Sequence, residues 1–392
     1  MKKLFSGITG NVLILGLVSL FTDFSSEMIY PLLPLFLTTV LGGGPAFLGL
    51  IEGVAESTAS ILKLVSGIMS DRVRRKNLVL AGYGISSLAR PLTALATSPL
   101  AVLFIRFGDR VGKGIRTSPR DALIADSADP AVRGKAFGFH RSMDNVGAII
   151  GPLTATLLLT WFIKDLRTIF WLAAIPGAIS VLLIVLKVRE TKAAGGKKAD
   201  AGFLKLLPAG RLRTYLLVIL LFTLGNSSDA FLLLRAGQLG VTLARIPLLW
   251  TFFNLVKTCA TMPFGALSDR IGRRGVIISG WGVYALSYIG FAFATSEIHI
   301  WLLFAFYGLF YGLTEGVEKA LLADIAEPAE RGSAFGWYNF AIGIGALPAS
   351  LIFGFIWQRQ SSFAAFGFGA ALALLAAILL FFLVKPQHAI KS

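Results

Sequence analysis

Arg106, Asp109, Arg110, Lys113, Arg116 and Arg120 follow one another at spacings of three and four residues, apart from the adjacent Asp109 and Arg110. Wound as a helix, at about 100° per residue, these six side chains fall within one arc about 120° wide. The arc holds five cations and one carboxylate, a composition suited to gripping an anionic or polar group. Arg106 and Arg110 are the leading candidates for that contact, with Asp109 and Lys113 beside them. Gly108, Gly112 and Gly114 thin the same helix and could leave room for a ligand. Structural pairing is the other use of such a stripe. It suits Arg116 and Arg120 better, because long cationic side chains reach out readily at helix ends.

Carboxylates supply a second kind of chemistry. Asp23 and Glu27 are four residues apart and share a helix face, and the run Asn226-Ser227-Ser228-Asp229 echoes their setting later in the chain. In apolar surroundings a carboxylate can carry a proton, whereas beside arginine it serves as an ion pair, and both roles are open to Asp23 and Glu27. Asn226 and Asp229 join the candidate substrate contacts. His140 and Asp144 share a face, and Arg141 can reach Asp144 three residues on. A histidine beside a carboxylate can relay protons, or it can be a satisfied pair that supports the stripe. Glu315 is the most useful lone carboxylate of the later half. Glu52 and Glu56 read as a solvated face, and Lys63, Arg90 and Lys257 as isolated cations that need carboxylate partners.

No cofactor is expected. There is no P-loop, and His140, His299 and His388 lie in different elements and form no metal site. A single cysteine, Cys259, can form no intramolecular disulfide.

The elements that hold these groups follow from composition. Of 392 residues 55% are hydrophobic and 15% charged, against about 25% charged in soluble domains. Mean hydropathy is +0.75. A soluble enzyme, a disordered chain and a disulfide scaffold are excluded. A membrane-spanning helix needs about 20 mostly apolar residues. Twelve such runs can be read, at roughly 11–40, 45–69, 78–97, 98–118, 134–162, 168–188, 212–236, 246–268, 275–296, 299–322, 332–357 and 362–385. They are too long for barrel strands and lack their alternation. The first run is also too long for the apolar core of a cleavable signal peptide. The charged stripe lies in the fourth run. A charge at mid-bilayer costs at least about 2.5–3.5 kcal/mol, so these side chains must face a watery cavity or partner charges. Tyr30-Pro31 and Pro34 could bend the first run.

Lysine and arginine set the orientation. The loops Leu41–Ala46 and Ala96–Pro99 carry no charge, and Lys187–Arg213 holds eight basic residues, so both termini and the long polar stretch are expected in the cytoplasm. Topology thus accounts for most of the net charge of +16, and no nucleic-acid partner is expected. Anionic lipid is a plausible neighbour for the basic stretch.

The chain is written twice. Leu123-Ile-Ala-Asp-Ser-Ala-Asp-Pro-Ala-Val-Arg-Gly-Lys-Ala-Phe-Gly138 returns as Leu321-Leu-Ala-Asp-Ile-Ala-Glu-Pro-Ala-Glu-Arg-Gly-Ser-Ala-Phe-Gly336, 198 residues later. Gly67-Ile-Met-Ser-Asp71-Arg72 returns as Gly265-Ala-Leu-Ser-Asp269-Arg270 at the same offset. An even number of spans per copy gives a parallel repeat. The expected organisation is an N-terminal six-helix bundle at 1–188, a basic linker at 189–211 and a C-terminal bundle at 212–392. At the repeat offset Arg106, Asp109, Arg110 and Lys113 become Phe304, Tyr307, Gly308 and Tyr311. Polar chemistry is therefore expected in the first half and aromatic surface in the second.

Gly67-Ile-Met-Ser-Asp71-Arg72-Val-Arg74-Arg75-Lys76 resembles the loop signature G-x-x-x-D-R-x-G-R-R/K of the major facilitator superfamily, departing from it at Arg74. Gly265-Ala-Leu-Ser-Asp269-Arg270-Ile-Gly272-Arg273-Arg274 matches it in full. Gly147-x-x-x-Gly151-Pro152 is similar to the family's antiporter motif. The resemblance implies an all-α membrane protein of twelve transmembrane helices in two pseudo-symmetric bundles. It implies alternating access around a midplane site and function as a monomer. It also implies a charge latch built from Gly67, Asp71, Arg72, Arg75, Gly265, Asp269, Arg270, Arg273 and Arg274. Gly134/Gly138 and Gly332/Gly336 have GxxxG spacing and are expected to pack helices closely.

The resulting expectation is a secondary active transporter. It would move a small organic solute with an anionic or polar group and couple to protons through Asp23, Glu27, His140, Arg141, Asp144 or Glu315. A multidrug/proton antiporter is the alternative within the class. A non-transporting receptor, a lipid scramblase and a membrane-embedded hydrolase are alternatives outside it.

Overall fold

A computed structural model describes residues 9–70, 73–129, 132–190, 209–327 and 331–384. Asp71, Arg72 and most of the linker lie outside the described residues. Those residues contain helices and no strand. The helices are α1 (Gly10–Val40), α2 (Pro45–Ser70), α3 (Arg75–Leu95), α4 (Pro99–Ser127), α5 (Arg133–Trp161) and α6 (Leu166–Lys187). The second half adds α7 (Gly210–Gln238), α8 (Arg245–Ile271), α9 (Arg273–Phe293), α10 (Glu297–Ile325), α11 (Arg331–Arg359) and α12 (Ser362–Leu383).

Nine of the described helices are long and apolar enough by themselves to cross a membrane. The remaining three, α2, α4 and α8, carry Glu52, Glu56 and Lys63, the charged stripe, and Asn254 with Lys257. These polar groups lower the hydropathy of helices whose inner faces line cavities. Phe104, Trp161, Phe162, Leu186, Leu286, Phe293 and Phe382 are all exposed on the outer surface, as residues facing lipid should be. The protein is a multi-pass membrane protein.

Local chemistry sets the boundaries. Ser98 caps α4 by accepting from the Ala101 amide, and Pro99 occupies the first turn, where its missing N–H costs nothing. Tyr30–Leu32 tightens to a 3₁₀ turn and Phe36–Val40 widens to a π turn, so α1 leaves regular α geometry around Pro31 and Pro34. In α7 the helix stops at Gly225 and restarts at Ala230. Helix pairs repeat at the 198-residue offset: α3 packs on α4 as α9 does on α10, and α1 on α5 as α7 does on α11.

The two halves meet along α2–α11 and along its symmetry counterpart, α5–α8. We call the end where α1 starts the basic end and the end of the α1–α2 turn the loop end. At the loop end α2 and α11 touch backbone to backbone. A Cβ on Gly49 would lie 2.1 Å from the Ser350 carbonyl oxygen, and one on Gly354 would lie 2.4 Å from that of Pro45. Ser57 donates to the Gly343 carbonyl at 2.5 Å, and the Ala46 amide to Gln358 Oε1 at 3.1 Å.

Glycine usage departs in part from expectation. A Cβ at Gly134 or Gly138 would meet nothing within 4 Å, so this GxxxG pair packs no helix here. Gly112 and Gly114 are taken up by packing on Gly82 and Leu62, and Gly108 alone of that trio is open.

Candidate functional site

Glycines on α5 set the floor of the site. A Cβ at Gly147 would strike the Leu20 carbonyl oxygen at 2.4 Å, and one at Gly151 that of Phe24 at 2.6 Å. Their absence lets α1 lie against α5, which brings Asp23 and Glu27 alongside Asp144 and Asn145. Across α1, Arg90 of α3 donates to the Thr22 carbonyl at 2.9 Å and lies 3.3 Å from Asp109 Oδ1.

Between the halves lie two adjoining cavities, of about 300 and about 460 Å³. Both are lined by Tyr30, Glu56, Lys113, Asp229 and Lys257. A third, of about 440 Å³, continues toward the basic end past Arg120, Phe137, His140 and Lys319. Arg141, Asp144, Asn145 and Lys257 border both the first and the third.

The stripe on α4 faces these spaces, and α2 supplies much of its countercharge. Arg106 Nη2 meets Glu52 Oε1 at 2.7 Å, and its Nη1 lies 3.8 Å from Asp109. Arg110 lies 3.3 Å from Glu56. Glu52 is 1% exposed, so the solvated face expected for it is corrected: its register on α2 turns it toward α4. Its other oxygen accepts from Ser228 of the second half at 3.3 Å. Arg116 is buried over the Tyr83 ring at 4.2 Å, and Arg120 pairs with the adjacent Asp121. Lys113 has no carboxylate oxygen within 4 Å among the described residues.

Asp144 gathers the α5 cluster. It accepts from Ser19 of α1, lies 3.6 Å from His140 Nδ1 and 4.0 Å from Arg141. Arg141 also pairs across the halves with Glu315, which holds Lys257 at 3.1 Å. Asp23 and Glu27 have no basic nitrogen within 4 Å among the described residues. Glu27 instead accepts from the Trp250 indole of α8 at 2.7 Å.

The second half answers with aromatic donors. Tyr307 donates to Asp229 Oδ1 at 2.5 Å and Tyr311 to Oδ2 at 3.1 Å. These are the residues that replace Asp109 and Lys113 at the repeat offset. Asn226, at the α7 break, lines the wider cavity. Tyr30, Trp250, Phe253 and Tyr311 form a continuous wall with ring centroids 5.2, 4.7 and 5.6 Å apart. Glu318 accepts from Trp281 at 2.9 Å and from Tyr338 at 2.8 Å.

Among the described residues, the motif's Arg75, Asp269, Arg273 and Arg274 make their contacts within each half. Arg75 pairs with Asp126, and Arg273 pairs with Asp324 at 2.7 Å and lies 3.6 Å from Asp269. Arg274 donates to the Val384 carbonyl, and Asp269 is largely exposed, with Arg270 beside it. A Cβ at Gly67 would meet Ser118 at an ordinary 3.7 Å, and one at Gly265 would meet nothing within 4 Å. Lys63 has no carboxylate within 4 Å among the described residues, whereas Arg90 and Lys257 do find one.

Sequence reasoning missed the α7 break, the Glu52 bridge, the Trp250–Glu27 contact and the Glu318 cage. The break was legible in Gly225-Asn226-Ser227-Ser228, a run of turn-forming residues inside an apolar segment. Pairing between distant helices left no local signal.

Residues 15–236 and 230–392 each match the profile of the Major Facilitator Superfamily. An uncharacterized MFS-type transporter of Methanocaldococcus jannaschii is 36% identical over 383 residues, covering 96% of this chain and 95% of that protein. A multidrug resistance protein MdtH of Aeromonas hydrophila is 23% identical over 351 residues, covering 85% of this chain and 84% of that one. The crystal structure of the nucleoside transporter NupG superposes with a TM-score of 0.81 at 13% identity, covering 97% of this chain and all of that one.

Proposed function

This chain belongs to the Major Facilitator Superfamily, and from that membership and its central cavities we propose that it is a proton-coupled secondary active transporter working by alternating access. Its cargo is a small organic solute with an anionic or polar group. The observation that carries this reading is the pair of joined cavities between the halves. They are lined by charge from α1, α2 and α4 on one side and by aromatic rings from α8 and α10 on the other. At the loop end, α2 and α11 close over them. Broken helices around a midplane site also fit a transporter: the α7 break presents Asn226 and Asp229, and the α1 distortion presents Tyr30.

The protein sits in the plasma membrane, the inner membrane of a bacterium, with both termini cytoplasmic, which makes the loop end external and this state inward-facing. It works as a monomer and performs no catalysis. Asp23 and Glu27 carry the proton. Each lines the solute cavity and neither has a cationic partner, so each can gain or lose a proton as the solute comes and goes. His140, Arg141, Asp144 and Glu315 connect that pair to the vestibule at the basic end.

The test is a proteoliposome assay with an internal pH dye and a panel of organic acids and polar solutes. One class of solute should move protons as it enters. In Asp23→Asn or Glu27→Gln, uphill accumulation should be lost while solute exchange persists. Accumulation without proton movement would overturn the coupling, and no flux for any solute would overturn the transporter. The aromatic wall favours one second reading, a multidrug antiporter. It predicts flux of many unrelated hydrophobic cations, indifferent to the α4 stripe.

A further inference from the structure

Most of the charge around the cavities cancels in place. Arg90 and Arg106 share Asp109, Arg106 also has Glu52, Arg110 has Glu56, and Arg141 and Lys257 have Glu315. Two opposite charges facing both cavities do not cancel. Lys113 on α4 has no carboxylate within 4 Å, and Asp229 at the α7 break has no basic nitrogen within 4 Å, among the described residues. They belong to different halves. Asp229 is held by the Tyr307 and Tyr311 hydroxyls, which fix its orientation and leave further lone pairs to accept from a ligand.

The remaining carboxylates without cations do not compete for this role. Asp23 and Glu27 stand on the same half as Lys113. Both oxygens of Glu318 are occupied by Trp281 and Tyr338. An unpaired charge inside a poorly solvated cavity is costly, and a ligand charge of opposite sign offsets that cost. A ligand with one charge relieves one half only. A ligand with both relieves both and ties the halves together.

We propose that the solute is a zwitterion. Its anionic group sits on Lys113, its ammonium or amidinium on Asp229, and its apolar body along Tyr30, Trp250, Phe253 and Tyr311. The cavities suit a small organic molecule. This deepens the reading of a transporter for polar organic solutes and rests on it: the bridging ligand is the one that draws the halves together.

Two matched probe sets on the purified full-length protein test the idea by thermal stabilisation. One set is tryptophan, tryptamine and indolepropionate. The other is para-aminomethylbenzoate, benzylamine and para-toluate, with charges farther apart. At least one zwitterion should bind about tenfold more tightly than both of its singly charged relatives. Lys113→Met should reduce it to the level of the amine, and Asp229→Asn to the level of the acid. Lys113→Arg and Asp229→Glu, which keep the charges, should retain the preference and show that folding is intact. An amine or acid that binds as tightly as its zwitterion, a preference that survives both neutral variants, or no zwitterion binding in either set would each overturn the proposal. A zwitterion that binds but is not carried into proteoliposomes would leave the site standing and overturn the transport reading instead.

Discussion

Removing Glu52 is expected to cost far more than its position near a helix end suggests. It is 1% exposed, and it is the closest carboxylate to Arg106, whose other partner, Asp109, is 3.8 Å away and also serves Arg90. Breaking a buried pair by removing one partner leaves a charge without compensation, at a cost of about 3–5 kcal/mol. Glu52→Leu should therefore lower the melting temperature markedly. Glu52→Leu with Arg106→Leu should recover much of the loss, because the orphaned charge has gone too. Thermal unfolding of the detergent-purified variants checks this, and a double variant no more stable than Glu52→Leu would count against the pairing. The four-residue spacing of Glu52 and Glu56 put them on one face of α2 but gave no indication of what lies opposite. That depends on how α2 turns against α4, which is set by packing between segments distant in the chain.

At the level of helices, the twelve spans, the repeat and the irregularity of α1 around its prolines were legible in the sequence. Length, apolar content and proline placement are local properties. Close approach between helices was not. Gly134 and Gly138 have the spacing of a packing motif yet meet nothing, while Gly49, Gly53, Gly343 and Gly354, singled out by no motif, carry the α2–α11 contact. The difference lies in what faces each glycine, which spacing does not record. Gly49→Ala is therefore the sharper probe of this interface. Its Cβ would fall 2.1 Å from a backbone oxygen that cannot rotate away, so α2 and α11 must separate at the loop end. With Cys259→Ser and Leu48→Cys as background, position 48 being fully buried beside Gly49, maleimide labelling at position 48 should rise several-fold when Gly49→Ala is added. Unchanged labelling would mean that the loop end is held closed by contacts other than this one.

Across the whole molecule the repeat is kept at the basic end and abandoned at the centre. Arg75–Asp126 and Arg273–Asp324 are the same pair, 198 residues apart, while Arg106, Asp109 and Lys113 face Phe304, Tyr307 and Tyr311 at equivalent positions. A symmetric frame around an asymmetric site suits two bundles that rock as rigid bodies, because the frame has an equivalent contact to make at either end. In this state the α2–α11 contact is made at the loop end, and the third cavity opens between α5 and α8 toward the basic end. If the bundles move as units, closure at the two ends is mutually exclusive. Cysteine pairs in a Cys259→Ser background test this. Ala46→Cys with Gln358→Cys bridges the loop end, where the Ala46 amide already meets the Gln358 side chain. Phe137→Cys with Thr261→Cys places one cysteine on α5 and one on α8, both lining the vestibule. The first cross-link should form readily and stop transport. Once formed, it should suppress the second by an order of magnitude or so. Full yield of both in one molecule would show that the ends move independently, and rigid-body rocking would have to give way to gating by separate helix segments.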